Sequence, residues 1–507
     1  MTDPTTVPVI IGVADIRSGQ AGAPASPRDP LDLISEATIA ALADTGIETI
    51  GSRVDTIYAV KTASWSYDDL PDLLAKRIGA DSPRTWTSSI GGHWPTALLD
   101  RIGSEIADRS SSVTLLVGGE AQASLNALTK LGVDPTTRGW LAAPGGPPTF
   151  TSDDLGSPEM QRAGILAPTR VYPLFENRFS YDIGDSPQQS REYSARMYAQ
   201  FSELAAAHPC AWMPTARTPE DIATSGPKNR LVSDAYPLTM NAMPFVDQAA
   251  AIVVCSLAAA IEFGVAKDRI VYLWGGAGAT EFADVLARKD FGRSAALKSA
   301  VDRTLKQAEV TGGDLGIVDA YSCFPVVPKL LIQALGLPHS TVPSVLGGHS
   351  FFGGPLNSYT LHAIAEVTRL LRSTDVDVPA LVHANGGYLT HQHTVLLSRN
   401  PHRNGYVGDP NPHEIPATGP PMLHGYVGDA DIVTATIDFE RDESPKSALI
   451  ITVTDDGSRV AGHTDSNDAA ALLRYTQGGA RSLVGARISI TDHDGRVAVS
   501  LKEEVQL

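Results

Sequence analysis

Cysteine is scarce in this chain. Its 507 residues hold three, Cys210, Cys255 and Cys323, and none precedes Pro209. Three scattered thiols are too few for a disulfide framework or a zinc knuckle. Cations are short as well, with 40 Lys and Arg against 57 Asp and Glu and a formal net charge of −17. A nucleic-acid duplex holds proteins through clustered cations, so no nucleic-acid partner is expected, although a local basic patch can still hold a small anion. Long apolar runs are missing too. The longest, residues 249–261, stops at Glu262, short of the roughly 20 residues that span a bilayer. It reads as a buried core segment, and no membrane partner is expected. The start, Met1-Thr2-Asp3-Pro4, has neither the basic nor the apolar region of a signal peptide. These absences lead to the expectation of a soluble, cytoplasmic protein.

What is present is globular. Hydrophobic residues make up 43% and charged residues 19%, a balance that buries cores rather than staying disordered. At about 150 residues per domain, several domains are expected. An internal duplication is the first sign of organisation. Residues 71–79 (PDLLAKRIG) resemble 328–336 (PKLLIQALG). Gly91-Gly92 before the helical run 96–107 resembles Gly353-Gly354 before the run 358–367. Residues 113–119 (VTLLVGG) resemble 379–387 (PALVHANGG). The order is kept and the spacing grows slowly, as in a duplicated unit with small loop insertions.

Each unit alternates strand and helix. Strands are read at 7–13 and 54–60, with helices at 31–45 and 70–77. The second unit offers strands at 269–274 and 316–321 around a helix at 295–309. That rhythm predicts a mostly parallel sheet covered by helices. The units are placed at residues 1–121 and 241–400. Between them, 122–240 is rich in Pro, Arg and Tyr and is expected to be an inserted lid or binding element. Within it Ser186, Pro187 and Gln189 form a helix-start pattern, with the helix running to about Ala206. Residues 401–421 read as a Pro/Gly/Asn-rich linker. The pentapeptide GYVGD occurs at 405–409 and again at 425–429, and nothing in the sequence explains the repeat. Residues 422–507 show β-branched alternation and two hairpin signals, Asp456-Gly457 and Asp494-Gly495. They predict a small all-β domain, a barrel or a sandwich.

In an α/β sheet, ligands collect beyond the C-terminal strand ends and at helix N-termini. Four segments fit such places: 88–94 (SSIGGHW), 319–324 (DAYSCF), 347–355 (GGHSFFGGP) and 383–388 (HANGGY). With these four loops in this order and the duplication, residues 5–400 resemble the thiolase superfamily. The segment 181–206, the run 241–251 (NAMPFVDQAAA) and Cys323-Phe324 look most like the sterol-carrier-protein-linked thiolases. The acidic chain with an added C-terminal domain resembles the thiolase-like proteins of type 1, and that domain is similar to an OB-fold. The resemblance implies an α/β duplicated thiolase fold, two βαβαβαββ halves in five layers (α-β-α-β-α), an inserted loop domain and an OB-like C-terminal domain.

It also implies Claisen chemistry on CoA esters. A cysteine nucleophile would sit at a helix N-terminus, where the dipole favours its thiolate, served by a histidine from a Gly-His-Pro loop and by a second cysteine. Carried over, the nucleophile position falls on Gly91, with Ile90 beside it, and the histidine position on Gly354. Tyr321 and Ser322 replace the histidine and aspartate of a His-Asp-Cys-Phe motif, of which Cys323 and Phe324 remain. The Cys-x-Gly position falls on Ala384. Without a thiolate no acyl-enzyme forms, so ordinary thiolase activity is expected to be absent or very weak.

Other residues are candidates for chemistry. Ser88 and Ser89 lack a Gly-x-Ser-x-Gly elbow. Tyr321 and Cys323, two apart, share a face if extended. Tyr321 is either a core tyrosine or a donor to a thioester or enolate oxygen, or an acid/base group in a retro-aldol cleavage. Cys323 is either that partner or a packed core thiol. His349 is the remaining catalytic candidate. Asn385, Gly386, Gly387 and His93 are candidate substrate contacts. Arg178 and Arg191, among the insertion's arginines, are candidates for CoA phosphates. His391 and His393 have strand spacing for metal ligation but no third ligand, so no metal is expected. The loop at Trp274 lacks the third glycine of a dinucleotide fingerprint, and no cofactor is expected apart from CoA or acyl-CoA as ligand. Three functions stay open: a CoA-ester binder without thiolase activity, a carbon–carbon lyase on an acyl-CoA using Tyr321 or Cys323, and a non-catalytic scaffold. The oligomeric state stays open too.

Overall fold

A computed structural model describes residues 3–149, 156–374 and 378–502. The body holds strands β1 (Pro8–Arg17), β2 (Gly19–Gln20), β3 (Ala23–Pro24), β4 (Thr56–Ala59), β5 (Arg84–Thr87), β6 (Val113–Ala121), β7 (Asp247–Ser256), β8 (Val271–Thr280), β9 (Ile317–Asp319), β10 (Ala380–Gly386), β11 (His391–Ser398) and β12 (Asp409–Glu414). β2 and β3 form a small ribbon. The large sheet runs β5-β4-β6-β7-β1-β8-β11-β10-β9, with β12 beside β8.

That order contains the duplication. The first half reads outward from the centre as β1, β7, β6, β4, β5, and the second as β8, β11, β10, β9. β1 meets β8 only at Val9 with Tyr272 and Ile10 with Val271, so the two half-sheets touch at a narrow seam. Helices Trp94–Ala107 and Tyr359–Ser373 pack between them. Pro30–Asp44 and Leu70–Ile78 cover the first outer face, Ala295–Gln307 and Val326–Leu335 the second. This is the five-layer arrangement. Even helix ends are repeated: Leu70–Ile78 stops at Gly79 (φ +69°) and Val326–Leu335 at Gly336 (φ +66°), left-handed caps that glycine adopts without a Cβ clash.

Three expectations change here. The sheet is mixed: pairing is parallel for β4 with β5 and β6 and for β9 with β10, but antiparallel across the centre. β10 turns directly into β11 without a crossover helix, so the alternation of strand and helix does not hold there. Second, β7 belongs to the first half-sheet although it follows the insertion, so a boundary at residue 240 cuts the first half short. Third, the linker is not structureless: β12 lies within it and pairs with β8.

The run 249–261 is buried strand and then helix: β7 is buried throughout, and Ser256 caps Leu257–Glu262. Among the described residues, no helix is long and apolar enough to cross a membrane. In the insertion, helix Pro187–Ala207 starts at the expected capping box of Ser186 and Gln189.

The C-terminal strands β13 (Val427–Phe439), β14 (Pro445–Thr454), β15 (Arg459–His463), β16 (Arg487–His493) and β17 (Arg496–Leu501) close into a barrel, β13-β14-β15-β17-β16. It is not all-β: helix Ser466–Tyr475 joins β15 to β16 and buries Ala469 and Leu472. Asp494 (φ +54°) and Gly495 (φ +83°) make the two-residue turn between β16 and β17. The repeated GYVGD has a structural reason. In each copy the first glycine is left-handed, Gly405 at φ +73° and Gly425 at φ +65°. The tyrosine then folds over the second glycine. A Cβ on Gly408 would lie 2.4 Å from the Tyr406 hydroxyl, and one on Gly428 2.5 Å from that of Tyr426. The first copy ends where β12 begins, and the second runs into the first residues of β13.

Candidate functional site

Three of the four candidate loops follow C-terminal strand ends and meet with the fourth at one end of the body. β5 leads into Ile90, Gly91 and Gly92, just before helix Trp94–Ala107. β9 leads into Tyr321, Cys323 and Phe324. β10 leads into Gly387, Tyr388 and Thr390. The fourth loop brings His349 on a π-helical turn, Gly348–Phe352, and then Gly354, Leu356 and Asn357. With Tyr172 of the insertion and Asn241 directly after it they enclose a cavity of about 450 Å3. Among the described residues, no Lys, Arg, Asp or Glu lines it.

The glycines set its floor. The Gly91 N–H donates to Asn357 Oδ1 at 3.0 Å, and Asn357 Nδ2 donates to the Lys61 carbonyl at 2.9 Å, so one amide fixes the loop. A side chain on Gly91 would place its Cβ 2.7 Å from the His93 ring. One on Gly92 would lie 2.5 Å from the Tyr321 hydroxyl. The backbone thus passes where only glycine fits, and Tyr321 fills the space above it.

Tyr321 is buried, and among the described residues its hydroxyl makes only a long contact, 3.4 Å, to the Leu356 carbonyl. Burial pushes its pKa far up, so it remains a donor. The His349 ring lies 4.2 Å from the Tyr321 ring and stacks at 3.6 Å on Tyr359. Burial holds this imidazole well below its usual range and therefore neutral. Its Nε2 has no partner among the described residues, and its Cδ2 lies 3.4 Å from where a Cβ on Gly354 would be. Burial also pushes the Cys323 thiol up to about 12, so it is protonated near neutrality.

Asn385 is held by a polar relay. His383 Nε2 meets Gln392 Oε1 at 2.7 Å, Gln392 Nε2 donates to Asn385 Oδ1 at 2.6 Å, and Asn385 Nδ2 donates to the Tyr172 hydroxyl at 3.0 Å. Tyr172 donates to the Gly387 carbonyl at 2.8 Å and stacks on Phe324 at 4.6 Å. Asn385 Nδ2 also faces Cys323 Sγ at 4.0 Å.

The structure brings Tyr321, Cys323, His349, Gly91, Gly354, Asn385 and Gly387 to one cavity. Gly386 lies beneath it, where a Cβ would meet the His93 ring at 2.3 Å. Ala384 is buried in β10 opposite His393 and does not line the space. His93 stacks at 4.6 Å on His391, which does. His393 turns instead to Asp100, at 3.0 Å. Arg178 and Arg191 are elsewhere. Arg178 pairs with Asp182 and donates to the Val433 carbonyl, and Arg191 donates to the Asp234 carbonyl. Both serve the packing of the insertion and the barrel, because helices Pro168–Asp182 and Pro187–Ala207 present these faces away from the cavity. Tyr172, Asn241, Asn357 and the Gln392 relay are site residues that the sequence reading missed. Asn357 follows the Gly353-Gly354-Pro355 loop closely enough to have been noticed. Tyr172 carries no local signal, since only packing of its helix on the β10 loop brings it in.

No family model matches the chain. An acetyl-CoA acetyltransferase of Methanothermobacter thermautotrophicus is 26% identical over 327 residues, 64% of this chain and 75% of that protein. A monomeric SCP2-thiolase-like protein of type 1 from Mycobacterium smegmatis is similar in structure with a TM-score of 0.79 at 28% identity, covering 99% of this chain and 100% of that one. The Ltp2-ChsH2(DUF35) aldolase gives a TM-score of 0.62 at 19% identity over 78% of this chain and 99% of its own. The dimeric peroxisomal thiolase of Saccharomyces cerevisiae gives 0.55 at 11% over 79% and 99%.

Proposed function

We propose that this chain, which has a thiolase-like fold of the acyltransferase superfamily, binds a CoA thioester with a neutral acyl group in this cavity and does not carry out thiolysis. One observation carries the reading: the floor at the N-terminus of helix Trp94–Ala107 is glycine, and the one thiol in the lining, Cys323, is held protonated by burial. A covalent thioester needs a thiolate. Neither Gly91 nor Gly92 leaves room for a side chain. The uncharged lining favours a neutral acyl group, because a buried carboxylate without a cation is strongly disfavoured. The Tyr321 hydroxyl, held only by its long 3.4 Å contact to the Leu356 carbonyl, supplies a donor for the thioester oxygen.

Acetyl-CoA at about 100 times its Kd is expected to stabilise the protein by about 2.7 kcal/mol, read as a rise in melting temperature. Acetoacetyl-CoA is expected to turn over only at the uncatalysed rate, with no acyl adduct on the intact protein by mass spectrometry. Acylated protein, or cleavage at a thiolase's rate, overturns this reading. Unchanged melting with millimolar CoA and acetyl-CoA leaves the partner-binding scaffold in its place.

A second reading, carbon–carbon cleavage of a 3-hydroxyacyl thioester, is favoured by the facing Tyr321 and His349 rings. The neutral His349 Nε2, without a partner among the described residues, would accept the hydroxyl proton. The Cα–Cβ bond would then break to a carbonyl and an enolate, with Tyr321 donating to the enolate oxygen. Release of the carbonyl product, lost in Tyr321→Phe while thioester binding persists, selects this reading over the first.

A further inference from the structure

The C-terminal barrel closes as an OB-fold does, with five strands and a helix between the third and the fourth. In that fold the second and third strands present the face that takes oligonucleotides and oligosaccharides. Here those strands are β14 and β15, and the chain itself covers their outer face. Side chains alternate along a strand. Ala448, Ile450 and Val460 pack inside the barrel. Leu449, Ile451 and Ala461 join the central core formed with the insertion and the second half.

Arg459 leaves β15 toward this contact and is 2% exposed. Its guanidinium donates to the Leu286 carbonyl at 2.5 Å and to the Arg288 carbonyl at 2.7 Å. Arg288, buried as deeply, donates onward to the Tyr388 carbonyl at 2.7 Å, to Thr390 Oγ1 at 3.0 Å and to the Phe282 carbonyl at 2.9 Å. Tyr388 and Thr390 line the cavity. A second route runs through helix Pro168–Asp182, which carries Tyr172. Thr434 Oγ1 donates to the Leu174 carbonyl at 2.6 Å, and Asn177 Nδ2 donates to the Ala435 carbonyl at 2.8 Å.

We propose that the barrel is a positioning element of the cavity: Arg459, acting through Arg288, holds the Tyr388–Thr390 wall, and the surface that other OB barrels offer to a polymer is occupied by this contact. Both bonds leave one guanidinium nitrogen, Nη1, so a lysine ammonium, a point charge with several donors, can imitate the contact in part. Arg459 touches no ligand and acts only through its neighbour.

Hydrogen exchange of the full chain without ligand tests the idea, because locally loosened amides exchange at the rate of local opening. Arg459→Gln is expected to speed exchange at residues 385–391 about tenfold or more, and Arg459→Lys to restore part of the protection. Ile450→Val, which thins the barrel interior without touching the relay, is expected to leave those amides unchanged. Equal exchange there in Arg459→Gln and the unaltered chain overturns the proposal. An equal rise in Ile450→Val overturns it too, since the effect would then be general loosening. Should Arg459→Gln fail to fold, Thr434→Val reads the second route through faster exchange in helix Pro168–Asp182, and no change there counts against it. Tight binding of a single-stranded oligonucleotide by the full chain overturns the occupied-face part. All of this is read without acetyl-CoA, so a chain that fails to bind acetyl-CoA ends the functional reading alone.

Discussion

Lys329→Met is expected to destabilise the protein by about 3–5 kcal/mol, the usual penalty for leaving one charge of a buried pair alone. Lys329 lies on helix Val326–Leu335 with its side chain fully covered. Its ammonium meets the Glu176 carboxylate and the Ser190 carbonyl, the latter at 3.2 Å, and sits 4.6 Å over the Tyr193 ring. Glu176 also accepts from Ser190 Oγ at 2.5 Å and from the Tyr236 hydroxyl at 2.7 Å. Three parts of the insertion thus converge on one lysine of the second half. Without that lysine, the carboxylate keeps its hydrogen bonds but faces no cation. The double variant Glu176→Gln with Lys329→Met is expected to recover most of the loss, because replacing both charges removes the desolvation problem. Denaturant unfolding of the two singles and the double gives the coupling. A double variant as unstable as Lys329→Met shows that the pair is not what holds the insertion.

Asp319→Asn is expected to change how stability depends on pH. Asp319 ends β9, two residues before Tyr321, and is fully buried. Burial pushes its carboxyl up to about 7, against the opposing hydrogen bonds from Val345 N–H and Ser344. One oxygen, Oδ2, has no partner among the described residues, which suits a protonated acid. In the unfolded chain the group titrates near 3.9. Between about pH 4 and 7 the folded state therefore keeps a proton that the unfolded state has lost. Stability then falls as pH rises through this window and levels off above it. The span of about three pH units corresponds to about 4 kcal/mol. Asparagine stays neutral throughout, so the stability of Asp319→Asn relative to the unaltered chain is expected to rise by that order from pH 4 to 8. A difference that stays flat across the window refutes the assignment.

The residue that best shows the reach of sequence reading is Ser186. Its capping box with Gln189 is local chemistry, and the helix begins there as expected. Gly79 and Gly336 end their helices for the same reason, and Asp494-Gly495 makes its turn. The duplication was equally visible, because matched helices need matched apolar faces. The direction of the strands was not, since a strand buried on both faces carries the same pattern whichever neighbour it pairs with. Helix Ser466–Tyr475 hid in the barrel region because a short apolar run reads as strand or helix alike. GYVGD was legible as a repeat, while its folded-back tyrosine was not.

The site divides in the same way. By itself the sequence determined that no cysteine stands before residue 209 and that glycines occupy the loop ahead of helix Trp94–Ala107, because residue identity needs no coordinates. Only the tertiary structure decided that Tyr172 joins Asn385, that His349 fills space beside Gly354, that Arg178 and Arg191 face away, and that the barrel leans on the cavity wall through Arg459. These are contacts between segments far apart along the chain. They depend on how whole elements pack, and packing chooses among many residues of the same type that local pattern cannot tell apart.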